Sequence, residues 1–145
     1  MGTAIAQLAW SEAHAIGDPE IDEQHQQMFE LYNQALHALQ QNPGHLTPGM
    51  VLQALIDYTG YHFATEEAVM AASGYPHRHE HAREHRALLS VISALVARVD
   101  AEPGMLADVV GLLRVWIQGH VLCTDKDLGA FLREVPQAAG GTELA

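Results

Sequence analysis

"YHFATEEAVMAASGYPHRHEHAREHRALL", residues 61–89, holds the key to the fold. It packs five histidines and four glutamates into 29 residues, with Phe, Met, Val, Leu and Ala at helical intervals among them. A helix that buries an apolar stripe has no cheap interior place for an unpartnered imidazole. Either these histidines are solvated, or some point inward and hold something.

The flanks set the helix boundaries. Thr47-Pro48 is a cap residue followed by proline at the first helical position, and Gly74 is a stop, so one helix spans about 47–73. Pro76 opens a second, running to about Asp100. Upstream, Asp18-Pro19 repeats the cap-then-proline signature. The helix it starts reaches about Gln41, with Ile21, Met28, Leu31, Ala35 and Leu39 as its stripe. Downstream of "AEPG", a helix begins near Met105. It ends or kinks near Asp125, with a short helical piece to Glu134. Strand and hairpin signals are lacking. The expected fold is all-α: an up-down-up-down four-helix bundle over 18–134, with an irregular N-terminal arm (1–17), a short C-terminal helix and a loose tail (135–145), in a single domain over 1–145.

Composition narrows the function. A net charge of -11 argues against nucleic acid and anionic membrane surfaces as partners. One cysteine excludes an internal disulfide framework and fits a reducing compartment. No uninterrupted apolar run is long enough to span a membrane, and "MGTAIAQLAW" lacks a basic leader, so a cytoplasmic location is expected. Ten histidines against seven lysines and arginines are the compositional clue.

Each helix carries a metal-ligand type beside its core stripe. His62 and Glu66 are four apart, as are His81 and His85, so each pair shares one helical face. His25 lies three before Met28 and four before Phe29; His120 follows Trp116 by four. Asp125 is five beyond His120, about 140° away on a regular helix, so either a local distortion is expected there or the two groups approach the centre from different sides. Any one histidine could be incidental, and an HxxxH pair alone is a weak signal. Five buried imidazoles and two buried carboxylates together would be costly without a metal. Seven ligands exceed one tetrahedral zinc and suit two ions of higher coordination; mixed nitrogen and oxygen donors favour iron or manganese. With five imidazoles, two bridging carboxylates and a bridging oxo or hydroxo group, two six-coordinate irons keep one open position, which suits a small ligand such as O2.

"W" at 10, "IDEQH" at 21–25, "HFATEE" at 62–67, "GYP" at 74–76, "HAREH" at 81–85 and "WIQGHVLCTDK" at 116–126 resemble the hemerythrin family, in the same order and over about residues 10–132. The resemblance implies a non-haem di-iron centre with a bridging oxo or hydroxo group. His81, His85 and His120 would hold one iron and His25 and His62 the other, with Glu66 and Asp125 bridging. It implies reversible O2 binding at the two-histidine iron, with NO as another small ligand, and no catalytic residues. The family commonly has a tyrosine three residues after the bridging Asp. Leu128 stands there, a departure that bears on the packing behind Asp125 without removing the site.

Met28, Phe63, Met70, Trp116 and Ile117 read as core, and as candidate walls of the ligand pocket. Cys123 reads as a small buried hydrophobe, with a place near the metals as the other reading. His77 and His79 alternate with His81 and so point away from it; with His14, His37 and His45 they read as surface. Glu67 and Glu84 read as solvated, with an outer hydrogen bond to a ligand as the alternative. Two other functions compete with O2 carriage, storage or delivery. One is a sensor acting through a separate partner; the other is a di-iron peroxidase or NO-handling enzyme. The lack of a Glu-x-x-His pair weighs against oxygenase chemistry.

Overall fold

The computed structural model describes residues 7–41 and 46–134. The beginning of the arm, His45 and the tail over 135–145 lie outside the described residues. Five α-helices follow: α1 (Pro19–Gln41), α2 (Pro48–Ser73), α3 (Arg78–Val99), α4 (Leu106–Gly119) and α5 (Asp125–Glu134). A π-helical segment, His120–Thr124, joins α4 to α5 without a break, so the two form the fourth rod of the bundle. No strand occurs among the described residues. The all-α bundle is as expected, and α1 packs on α2, α2 on α3 and α3 on α4.

The capping chemistry read from the sequence sets the helix ends. Asp18 accepts from the backbone N–H of Ile21 (3.0 Å), and Thr47 accepts from Met50 (3.1 Å). Gly74 ends α2 in the left-handed region (φ 71°), where a side chain would be strained. Helix α3 starts at Arg78, two residues later than expected, because Tyr75–Arg78 first form a turn closed by an Arg78 N–H···O=C Tyr75 bond of 3.2 Å.

Two apolar clusters fill the bundle. The larger takes Met28, Phe29 and Leu36 from α1, Leu52, Leu55 and Ile56 from α2, Ile92, Val96 and Val99 from α3, and Val109 to Val121 from the fourth rod. The smaller joins Ile16, Ile21, Met70, Tyr75 and Leu128. Each large aliphatic side chain buried in them contributes roughly 2 kcal/mol relative to exposure. Between the clusters, at one level on every rod, lie His25, His62, Glu66, His81, His85, His120 and Asp125, all buried. The clusters clamp this polar layer from both ends.

The arm is irregular, as expected, but side chains pin it. Asn33 holds the Leu8 backbone with two bonds: its Nδ2 donates to Leu8 O (2.7 Å) and its Oδ1 accepts from Leu8 N–H (2.8 Å). Asp22 accepts from the N–H groups of Ile16 and Gly17, while Lys126 and Arg133 donate to the carbonyls of Ala15 and Ile16. Gly129 lets the arm lie against α5, since a Cβ there would collide with the Ile16 carbonyl. His14, expected at the surface, is buried. Its Nδ1 takes the Ser11 N–H (3.2 Å) around a short 3-10 turn, and its ring meets Phe29 edge-on at 5.0 Å. The arm folds back onto α1, and helical periodicity carries no trace of that contact.

The continuous helix over Pro103–Glu134 is long and apolar enough to cross a membrane by length and composition alone. Judged by uninterrupted apolar runs, the sequence did not suggest this. A core helix passes the same test, and this one carries Leu113, Ile117, Val121 and Leu128 buried beside His120 and Asp125.

Candidate metal centre

All seven expected residues meet in the polar layer. Their donor atoms fall into two groups: Glu66, His81, His85, His120 and Asp125 in one, and His25, His62, Glu66 and Asp125 in the other, each within 4.8 Å. Glu66 and Asp125 belong to both. The π-helical segment makes this arrangement possible. Its Asp125 N–H bonds to His120 O, an i→i+5 link, and this wider winding brings residues five apart closer to one face than a regular α-helix would.

The distances are those of donors aimed at a shared centre. His81 Nε2 and His120 Nε2 each lie 3.0 Å from Asp125 Oδ1, and His85 Nε2 lies 3.0 Å from Glu66 Oε1. On the other side, His25 Nε2 is 2.9 Å from Asp125 Oδ2, and His62 Nε2 is 2.8 Å from Glu66 Oε2. His62 Nε2 and both Asp125 oxygens nevertheless make no hydrogen bond, though fully buried. The Nε2 atoms of His81 and His85 each sit 3.2 Å from that of His120. Each Nε2 offers one lone pair or one N–H, so a hydrogen bond between two of these three nitrogens leaves the third without a match among them. A cation at the centre of each group removes the conflict, since every donor then faces positive charge. The donor set fits a non-haem metal site.

Outer partners orient the rings. His85 Nδ1–H donates to Glu67 Oε2 (2.8 Å) and His120 Nδ1–H to Glu84 Oε1 (3.0 Å). A carboxylate only accepts, so each Nδ1 carries a proton, and Nε2 is the nitrogen left to face a metal once its own proton is gone. The expectation that Glu67 and Glu84 are merely solvated is corrected. Both are part-exposed, yet each spans a seam between neighbouring helices, a contact invisible from their own helix face. His62 Nδ1–H donates to Gln24 Oε1 (2.8 Å), and Gln24 Nε2 in turn donates to Thr65 Oγ1 (3.2 Å). Gln24 escaped the sequence reading because an amide is not a ligand type. The one available signal was its place beside His25.

The other candidates divide. Phe63 stacks on His85 (3.7 Å, 4°) and Trp116 on His120 (4.5 Å, 14°), so both line the three-histidine half. Met28 and Ile117 belong to the larger cluster and Met70 to the smaller. The aromatic ring closest to His25 on the arm side is Trp10, at 6.4 Å. Cys123 is exposed rather than a buried hydrophobe, because the π-helical register turns it outward. Leu128 is fully buried among Ile16, Ile21, Met70 and Tyr75, so the packing behind Asp125 is closed, not loosened. His37, His77 and His79 are exposed, as expected.

Charge inside the layer is balanced between acid and base. Burial pulls the imidazole of His25 down, but the carboxylates of Asp125 and Glu66 outweigh it and raise it from 6.5 to about 9. The same opposition raises His81 to about 9 and His120 to about 10. Burial pushes the Asp125 carboxyl up and the Glu66 charge adds to that; the facing histidines still bring it down to about 2. Glu66 is likewise held well below 4.5: burial pushes it up, and the facing imidazoles of His120, His25, His62 and His81 overcome that.

A pH dependence follows. Three raised histidines stabilise the metal-free fold fully below 6.5, and that contribution is lost as pH rises through 9 to 10. The depressed carboxylates contribute above about 4.5 and lose it as pH falls toward 2. Metal binding needs the lone pairs, so loading at pH 7 is expected to release about three protons, from His25, His81 and His120. The gap between metal-loaded and metal-free thermal midpoints should widen from pH 6 to pH 9. Proton release followed with an indicator dye, and melts across that range, check both; loading without proton release would contradict the account.

The chain matches the family model described as the hemerythrin HHE cation binding domain over residues 17–132. The chain belongs to the hemerythrin family. Among its relatives are proteins named bacteriohemerythrin. That of Pseudomonas aeruginosa is 32% identical over 117 residues, covering 81% of this chain and 76% of the relative. That of Stenotrophomonas maltophilia is 30% identical over 122 residues, covering 84% and 79%. That of Methylococcus capsulatus is 33% identical over 112 residues, covering 77% and 85%. The matched region contains all seven layer residues, together with Gln24, Glu67 and Glu84.

Proposed function

We propose that this protein reversibly binds O2 at a pair of non-haem irons, as a carrier, store or delivery protein. His81, His85 and His120 would hold one iron and His25 and His62 the other, with Glu66 and Asp125 available to both. The observation that carries the reading is that the two donor groups share Glu66 and Asp125 and nothing else. Three imidazoles on one side against two on the other leave the second ion with fewer protein donors, and so with room for a small ligand. Bound iron supplies the electrons that O2 takes up on binding.

The chain's own part is to hold and to exclude. Gln24, Glu67 and Glu84 fix three of the five rings in the ligating tautomer. Met28 and Ile117, both buried, keep water and protons from the layer on the side of the larger cluster. With metal bound, the five imidazoles and two carboxylates of the layer would all be engaged as ligands, so among the described residues of the layer none is left over to give a proton for O–O cleavage. This favours binding over turnover. We infer a single domain working in a reducing compartment, the cytoplasm, where the exposed thiol of Cys123 is kept reduced. Separation of cell fractions tests that location.

The function is tested by colour. The reduced, iron-loaded protein should become coloured under O2 and bleach when O2 is removed, over several cycles, with two irons per chain by metal analysis. Ile117→Gln, which puts an amide into the wall, should hasten the passage to an oxidised form that no longer bleaches. Continuous consumption of O2 with a reductant would instead identify a peroxidase or oxidase.

A further inference from the structure

Among the cavities that indent the surface, those of about 400 and 300 Å³ contain no layer residue. A third, of about 270 Å³, does. Tyr75, His77, Glu80, Glu84 and Asp127 line it, and His81 forms part of its wall. Three carboxylates surround it and no lysine or arginine lines it. Burial, and then the charges of Asp127, Asp125 and Glu80, push the Tyr75 phenol up, as expected where negative potential gathers.

His81 is the second observation. It is only 3% exposed, its Nε2 faces Asp125 and Glu66, and its buried Nδ1 has no hydrogen-bond partner. His85 and His120, the other imidazoles of its half, are tethered at Nδ1 by Glu67 and Glu84. His81 is therefore the ring of that half that can turn without breaking an outer hydrogen bond, and it is the one that borders the cavity.

We propose that this cavity is the loading port of the buried layer, where Glu80, Glu84 and Asp127 gather a hydrated divalent cation and the untethered His81 ring admits it. The proposal rests on the reading of the layer as a metal centre. The carboxylates are too widely spaced to form a chelating group of their own among the described residues, which suits transit rather than retention. Glu84 links port and layer, since the same Oε1 meets His120 Nδ1 (3.0 Å) and the Thr124 hydroxyl (3.1 Å). Clefts lined by one sign of charge raise the local concentration and capture rate of the opposite charge.

The test is the rate of uptake, read separately from the amount. Metal-free full-length protein is mixed with Co(II), and its visible absorption is followed at several salt concentrations. Glu80→Gln/Asp127→Asn should load about tenfold more slowly than wild type, with a flatter salt dependence, and reach the same final cobalt content. Glu23→Gln/Glu30→Gln removes equal charge beside the 400 Å³ cavity and should load at the wild-type rate. Loading of the port variant at the wild-type rate overturns the port alone, as does equal slowing of both variants. A lower final content in the port variant also overturns it, by making those carboxylates ligands. If wild-type protein takes up no cobalt, the metal-centre reading fails and the port fails with it.

Discussion

Asp125→Asn is expected to empty both halves of the layer together. Asp125 has one oxygen 3.0 Å from His81 and His120 and the other 2.9 Å from His25, and it belongs to both donor groups. Asparagine keeps the shape but loses the charge, and it replaces one acceptor by an N–H2 that turns hydrogens toward the ligands. Loss of an outer partner of a ligand typically costs about 10–100-fold in affinity, so loss of a shared ligand should cost at least about 100-fold. Metal retained after gel filtration should fall to background in this variant and only partially in Glu67→Gln. His79→Ala should retain the wild-type amount, because His79 is exposed on the far side of its helix. Selective loss of one metal from Asp125→Asn would show that the carboxylate serves a single half.

Removal of metal by chelation should lower the thermal midpoint by about 8–16 °C. A ligand at a thousand times its dissociation constant adds about 4 kcal/mol, and each kcal/mol moves the midpoint of a chain of this size by about 2–4 °C. Three imidazoles raised toward 9 or 10 and two depressed carboxylates partly compensate one another in the empty layer. They leave His62 Nε2 without a hydrogen bond in the middle of the core, while the Asp125 oxygens are held only by their ion pairs with His25, His81 and His120. Buried polar atoms in that state cost roughly 1–3 kcal/mol each, a burden the metals lift. Equal midpoints with and without metal, by circular dichroism at pH 7, would mean that the layer is satisfied by itself.

The sequence by itself determined the helices and the membership of the layer. Asp18-Pro19, Thr47-Pro48 and Gly74 are local signals whose chemistry acts within a few residues, and each ends or begins a helix where expected. His62 with Glu66, and His81 with His85, share faces by helical period alone. The five-residue step from His120 to Asp125 called for a distortion or for an approach from different sides, and a π-helical turn supplies the first. What only the tertiary structure decided lies between helices. Gln24 meets His62 across α1 and α2, Glu67 meets His85 across α2 and α3, and Glu84 meets His120 across α3 and the fourth rod. The register of one helix against another places those contacts, and no spacing within a single helix encodes it. The same holds for His14, drawn inside by the arm, and for Cys123, turned out by the π-helical register. Helical period fixes which residues share a face; the packing of rod on rod fixes what that face meets.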